Sequence, residues 1–345
     1  MISKIELKNF RCFKDKSLDT TNSLVILSGK NATGKTSILE AIYLCATSKS
    51  HRTNDLDTII HHDENFFIIN ISDEKKYKYV YSKEGKSLYI NKKEITKVSD
   101  FIGNLFVVLY SPLDISLIQG TKSDKRRFLD MEISILDKKY LHDLNVYKKI
   151  LSERNTLLKK QDIDLTLLDV MDKNMAYYNE LIYKKRIEFI NDLNQYLKDI
   201  TTDINMESIQ LAYKTSYDEN NIYEYIKKHE KSDIFNKVTS IGIQRDDMTI
   251  LLDGLDAKEY ASEGQSRLIA VVIKLALKKY IENKYQIEPI LLLDDVFAAL
   301  DKDRINQLIK YIINNKQTFI STTSVLEIPD ELLKKAFVIR MEKER

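Results

Sequence analysis

Tryptophan is absent from this chain, and proline and glycine are scarce, at three and eight in 345 residues, while Lys, Asn, Ile and Tyr are plentiful. The skew runs through the whole composition, so the 20 tyrosines are weak evidence for a base-stacking platform, which would need them gathered on one face. Cys12 and Cys45 are the only cysteines. They form no C-x-x-C, give no sequence basis for zinc, and fit a reducing compartment. A charge excess of one sign is also missing: 54 basic and 52 acidic residues leave a formal +2. Any nucleic-acid footprint must therefore come from local clustering. No run of 18 apolar residues occurs, and residues 1–6 carry charges where a signal peptide needs its apolar stretch. A soluble, cytoplasmic protein with no membrane partner is expected.

What is present is concentrated first at Gly29-Lys30-Asn31-Ala32-Thr33-Gly34-Lys35-Thr36, which fits G-x-x-x-x-G-K-[ST] in full. The apolar run Leu24-Val25-Ile26-Leu27 precedes it and an amphipathic stretch from Ser37 to Leu44 follows, so the motif sits in the strand–loop–helix context that phosphate binding requires. Gly29 and Gly34 let backbone N–H groups turn inward, and the helix N-terminus adds unpaired donors and partial positive charge. Lys35 is expected to bridge the β- and γ-phosphates of ATP, and Thr36 to help hold Mg2+. The nucleotide-binding stretch is read as Gly29 to Ser37. At 345 residues the chain exceeds the size of a single core, so two lobes are expected around one nucleotide site.

Taken in order, Ile5, Leu7 and Asn9 alternate with charged residues in a short edge-like strand, and three β-rich stretches at 66–71, 77–81 and 87–91 read as an antiparallel meander. Arg52, in the polar turn Ser50-His51-Arg52-Thr53, could reach nucleotide or a polyanion, or could be a solvated loop residue. His61 and His62 lack metal-ligand spacing and read as loop residues. From about residue 124 helical stripes replace strands, with Leu136, Tyr140, Leu144, Tyr147, Leu151 and Leu158 in one arm and Leu168 to Leu193 in the next. The polar break 159–164 predicts an antiparallel hairpin whose arms extend about 50 Å. Residues 121–160 hold eleven Lys or Arg against six acids. Lys125, Arg126 and Arg127 are the densest group, open to reading either as a DNA contact or as a solvated helix face.

The C-terminal third supplies the acids. Ser262 and Gln265 form a capping box before an apolar helix. Pro289 to Asp295 is an aliphatic strand ending in two carboxylates, and such strands deliver acids to the C-terminal sheet edge where ligands bind. Asp294 is placed on the metal side of the nucleotide and Asp295 where a water-activating base belongs. A last strand, Thr318 to Thr323, carries hydroxyls at its end.

P-loop, helical insertion, S-x-G-Q, then an aliphatic strand ending in Asp-Asp and followed by Leu300-Asp301: this is the layout of ABC-type ATPase heads. The chain resembles the RecF family of bacterial recombination mediators, in the SMC-like group, over essentially its whole length. Carrying the likeness are Asn9-Phe10-Arg11, the P-loop, Ser50 to Thr53, Ser111-Pro112, Arg126 to Asp130, Arg245-Asp246-Asp247, Ser262 to Arg267 and Leu291 to Val296. The resemblance implies an α/β ATPase lobe (1–112 and 240–345), a helical lobe with short arms (113–239), and an ATP-dependent homodimer. In it Ser262, Gly264 and Gln265 of one copy face the γ-phosphate held by Lys35 of the other, Asp301 lines the seam, and Thr322 or Thr323 senses the γ-phosphate. It further implies duplex or gapped DNA as ligand, nucleoid association, and partner mediators such as RecR and RecO.

Departures from the family pattern are Ala32 and Thr33 in place of a glycine-containing P-loop centre, Gln244 where histidine is usual, and Ser266 where a second glutamine is usual. Ala32 is tolerable if its position does not need φ > 0. Asp295 is a methylene shorter than the glutamate of most ABC enzymes, which predicts slow hydrolysis suited to a switch. Two other P-loop readings remain open. The doubled aspartate and basic hairpin weigh against a transporter's nucleotide-binding subunit, and arms of about 35 residues are short for a chromosome-organising SMC head.

Overall fold

A computed structural model of the protein describes residues 1–217, 221–299, 302–313 and 315–343. They form two compact units: Met1–Ile115, Asp199–Met206 and Ser262–Arg345 in one, Ser116–Lys198 and Glu207–Ala261 in the other. Residues 240–261, expected in the ATPase lobe, fall in the second unit, because Asp247–Leu252 pairs with Ile209–Lys214 and not with the strands around the P-loop.

In the first unit a five-stranded, all-parallel sheet runs in the order Phe337–Arg340, Leu24–Ser28, Thr318–Thr322, Ile290–Asp294, Val107–Tyr110. Its inner strands are aliphatic on both faces because both faces are covered; Leu291, Leu292, Val25 and Ile26 are fully buried. A six-stranded antiparallel sheet follows the order Phe13–Asp19, Lys4–Phe10, Phe66–Ser72, Lys76–Ser82, Gly85–Ile90, Lys93–Ile95. Lys4–Phe10 is therefore an interior strand, hydrogen-bonded on both sides, and not the edge its charged alternation suggested. The helix Lys35–Thr47 contacts both sheets and buries every residue except Thr36. That double contact explains why its apolar pattern extends around the cylinder.

The second unit is mainly helical. The first arm is two helices, Lys122–Leu136 and Lys138–Leu157, not one. Asp137 breaks it: its extended backbone and its carboxylate, which accepts from the Lys139 and Tyr140 amides, cap the second helix. Leu165–Asp203 follows and packs Leu168 on Leu157 and Leu158 at the turn. At 20 and 39 residues the two helices of the hairpin are about 30 and 60 Å long. Among the described residues no helix is long and apolar enough to cross a membrane.

Candidate nucleotide site

The P-loop leaves the parallel sheet at the end of the inner strand Leu24–Ser28, next to the edge strand Phe337–Arg340, and enters the helix at Gly34. Gly34 has φ +91°, and a Cβ there would meet the Phe13 ring at 2.2 Å, so glycine is required on both counts. Lys35 is 5% exposed and turns back on the loop, donating to the Gly29 and Lys30 carbonyls at 2.7 and 3.0 Å. Thr33 closes the loop from inside by donating to the Lys30 carbonyl at 2.9 Å. Lys30 and Asn31 are exposed at the tip, and Ser37 is buried in the first helical turn. The expectation for Ala32 is resolved against it: the residue sits at φ +64°, a left-handed conformation that costs a side-chain-bearing residue about 1–2 kcal/mol.

The two carboxylates lie at the C-terminal end of the strand Ile290–Asp294. Strand Ile290–Asp294 ends beside the P-loop, and the Thr36 hydroxyl donates to Asp294, lying 2.9 and 3.1 Å from its two oxygens. A hydroxyl and a carboxylate, both hard oxygen donors at the mouth of a phosphate-binding loop, fit Mg2+, which takes one or two protein oxygens and completes its shell with phosphate and water. Asp295 turns sharply out of the strand at φ +47°. Thr322 is buried and donates to the Ser324 carbonyl at 3.0 Å, whereas Thr323, the other sensor candidate, is exposed. Asp301 lies outside the described residues.

The capping box forms as read: the Gln265 amide donates to Ser262 Oγ at 3.2 Å and the Ser262 amide to Gln265 Oε1 at 3.0 Å. These residues and Gly264 open a 23-residue helix. Ser262 and Gly264 are exposed, and a Cβ on Gly264 would meet nothing within 4 Å.

Arg52 points to the back of the P-loop helix. Its guanidinium pairs with Glu40 at 3.3 Å, and Arg52 keeps 39% of its side chain exposed. Glu40 is fully buried and accepts from Arg11 through two nitrogens (2.9 and 2.7 Å) and from Ser50. Burial alone would push its carboxyl up, but Arg11, Ser50 and Arg52 together hold it below the ordinary glutamate value. The basic cluster at 125–127 does not share one surface: Lys125 is 5% exposed, Arg126 donates to the Asp246 carbonyl at 2.8 Å, and Arg127 is exposed. A basic triplet on a helix necessarily points three ways, about 100° apart.

Sequence reasoning missed Glu40 and Ser321. Glu40 is an acid at an otherwise apolar helix position, and Ser321 is the register partner of Asp294 in the parallel ladder. Aligning the two strands by their apolar runs would have found it.

A family model described as an AAA domain matches residues 4–319. The DNA replication and repair protein RecF of Acholeplasma laidlawii is 41% identical over 325 residues, 93% of each chain. That of Clostridium perfringens is 36% identical over 353 residues, 99% of this chain and 98% of its own. A solved structure of the recombination mediator protein RecF-ATP in the RecFOR pathway has a TM-score of 0.87 at 31% identity, covering 95% of this chain and 93% of that one. The Smc head domain from Pyrococcus furiosus has a TM-score of 0.55 at 16% identity over 99% and 94%, a likeness of fold alone. The architecture is thus that of an α/β ABC-type ATPase head, and the chain belongs to the RecF family of DNA replication and repair proteins.

Proposed function

We propose that this protein binds and hydrolyses ATP to control its grip on DNA during recombinational repair and replication. The observation that carries this reading is the meeting of Thr36 with Asp294 at the mouth of the P-loop, in a chain whose relatives are named for DNA replication and repair. Lys35 leaves its loop carbonyls for the β- and γ-phosphates, and the amides of residues 32–36 close on them. Thr36 and Asp294 hold Mg2+, which when bound neutralises charge on the phosphates. Asp295 acts on the attacking water, and its short reach keeps hydrolysis slow.

The exposed helix start at Ser262, Gly264 and Gln265 supports a second part of the reading: these donors serve the γ-phosphate of a second copy, so ATP closes a homodimer with two shared sites. Asp301 lines that seam, and Thr323, which is exposed, is better placed than the buried Thr322 to sense the γ-phosphate. The closed dimer grips duplex DNA near single-strand gaps, with Arg127 and Arg52 among the phosphate contacts, in the nucleoid. Partner mediators such as RecR and RecO then load recombinase, and hydrolysis, stimulated by DNA, releases the dimer.

The test is retardation of gapped duplex with ATP, ADP and no nucleotide, for the wild type, Lys35→Ala and Ser262→Ala. Wild type should shift DNA with ATP only and each variant should fail; an equal mixture should recover part of the binding, because one of the two shared sites in a heterodimer is intact. Retardation by wild type that ignores nucleotide would overturn the switch.

A further inference from the structure

We infer that Ser321 is a positioning residue that sets both active-site acids at once. This rests on the reading of Asp294 and Asp295 given above. Ser321 stands on the neighbouring strand, in register with Asp294, and is fully buried. Its hydroxyl does two things. It donates to Asp294 Oδ1, and it accepts the Asp295 amide at 3.0 Å, while the Ser321 carbonyl lies 3.2 Å from the same amide.

Both contacts fall where the chain has least freedom to hold itself. Asp294 has only one other hydroxyl on it among the bonds described here, that of Thr36, and Thr36 belongs to the P-loop helix, which must also serve the nucleotide. The Ser321 hydroxyl comes from the sheet and fixes the carboxylate whatever Thr36 does. Asp295 occupies the left-handed region at φ +47°, a conformation that persists only where its surroundings over-determine it. Two acceptors from one residue on one amide are such surroundings. One buried hydroxyl thereby ties the carboxylate of the metal-side acid to the backbone from which the water-side acid extends, so moving the Asp295 turn away from Asp294 requires breaking a bond to Ser321. Alanine would leave Asp294 with one partner fewer and remove the hydroxyl acceptor from the Asp295 amide. Threonine keeps the hydroxyl, and valine keeps threonine's shape without it.

The experiment uses the full chain carrying Ser321→Thr, Ser321→Val or Ser321→Ala. The first readout is the affinity for a fluorescent non-hydrolysable ATP analogue with Mg2+ and with EDTA. Ser321→Thr should keep the wild-type gain in affinity on adding Mg2+, while Ser321→Val and Ser321→Ala should lose about tenfold of it and stay near wild type in EDTA. In ATP turnover the same two should lose kcat with KM little changed. Equal behaviour of Thr and Val variants would overturn the proposal, since packing and not the hydroxyl would then matter. Hydrogen exchange at the Asp295 amide of the nucleotide-free wild type is a further arm, independent of variant folding and of any nucleotide. The amide should be protected, and exchange at the rate of an exposed turn would overturn the clamp. Failure of the wild type to bind the analogue under either condition would sink the ATPase reading, and the exchange result would still decide the role of Ser321.

Discussion

Two buried cations, Arg186 in the second unit and Lys35 in the first, are held in opposite ways. In the second, Arg186 is almost wholly buried and has four acceptors: Asp130 at 2.6 Å, the Tyr213 and Tyr140 hydroxyls at 2.7 and 3.1 Å, and the Ile243 carbonyl at 3.1 Å. Arg154, also buried, is held by Asp172, Asp233 and Thr239 from three different segments. In the first unit Lys35 is nearly as buried, yet it donates to two carbonyls of its own loop, and the residues around it include Ala32, Gly34 and Asp295 at positive φ. A charge held, as Arg186 is, by groups from distant segments specifies a fold. A charge parked on the carbonyls of its own loop, with Ala32 strained beside it, is held ready for a ligand.

The largest effect should come from breaking the saturated side. Arg186→Ala takes the nearer cation from Asp130, leaving it Lys148 at 3.1 Å, and removes a donor from two tyrosine hydroxyls and a buried carbonyl; removing one partner of a buried pair costs about 3–5 kcal/mol. Denaturant unfolding should register a loss of that size. Lys35→Ala is the contrast. It removes a buried ammonium with no carboxylate partner among the bonds described here, so stability should stay within about 1 kcal/mol of wild type although nucleotide binding collapses. Similar stability losses in both variants would erase the distinction between the two cations.

Glu40 sharpens the comparison, because it is the saturated charge of the nucleotide unit. Its folded-state carboxyl lies below the ordinary value of 4.5, held there against burial by Arg11, Ser50 and Arg52. A depressed acid contributes stability that is complete above its unfolded value and lost as pH falls toward its folded one. Glu40→Gln should therefore cost about 3 kcal/mol at pH 7, and its deficit relative to wild type should shrink as the pH is lowered below about 4.5. Paired chemical-denaturation curves from pH 7 to 3.5 measure this. A deficit independent of pH would mean that Glu40 acts through packing and not through charge.

What the residues disclosed in advance follows the same division. The P-loop, the capping box and the aliphatic strand ending in Asp294 were legible because each is a local pattern whose chemistry is fixed by spacing. Glu40 and Ser321 were not, since their partners lie on other elements: Arg11 is 29 residues from Glu40, and Ser321 is 27 from Asp294. The interior place of Lys4–Phe10 was hidden for a related reason. Its outward charges imitate an edge, while the partner that covers its second side, Phe66–Ser72, comes much later in the chain. The break at Asp137 was local and could have been read: an acid ahead of two residues that open a basic helix is a cap signal, but the apolar spacing across it was regular enough to mask it. Gln244 shows how a departure from a family pattern is absorbed, for its amide accepts from Tyr147 and donates to the Ile241 carbonyl at 2.9 Å.

The smallest expected effect tests the strained side alone. Ala32 carries a Cβ in the left-handed region at φ +64°, a strain of about 1–2 kcal/mol. Glycine would remove that strain while adding backbone freedom to the unfolded chain worth about 0.4–1 kcal/mol. Ala32→Gly should therefore be stabilising by about 0.5–1 kcal/mol, a rise in Tm of roughly 1–3 °C for a chain of this size. Ala32 is exposed, so no packing term opposes the gain. The sign carries the argument. If the loop keeps this conformation with nucleotide bound, the variant should bind ATP with unchanged affinity, because both states are relieved equally. If ATP draws position 32 to a negative φ, the alanine strain is released on binding and the glycine variant should bind more weakly by a few-fold. Calorimetric Tm with and without ATP separates these outcomes, and a fall in Tm without nucleotide would show that position 32 carries no strain for glycine to relieve.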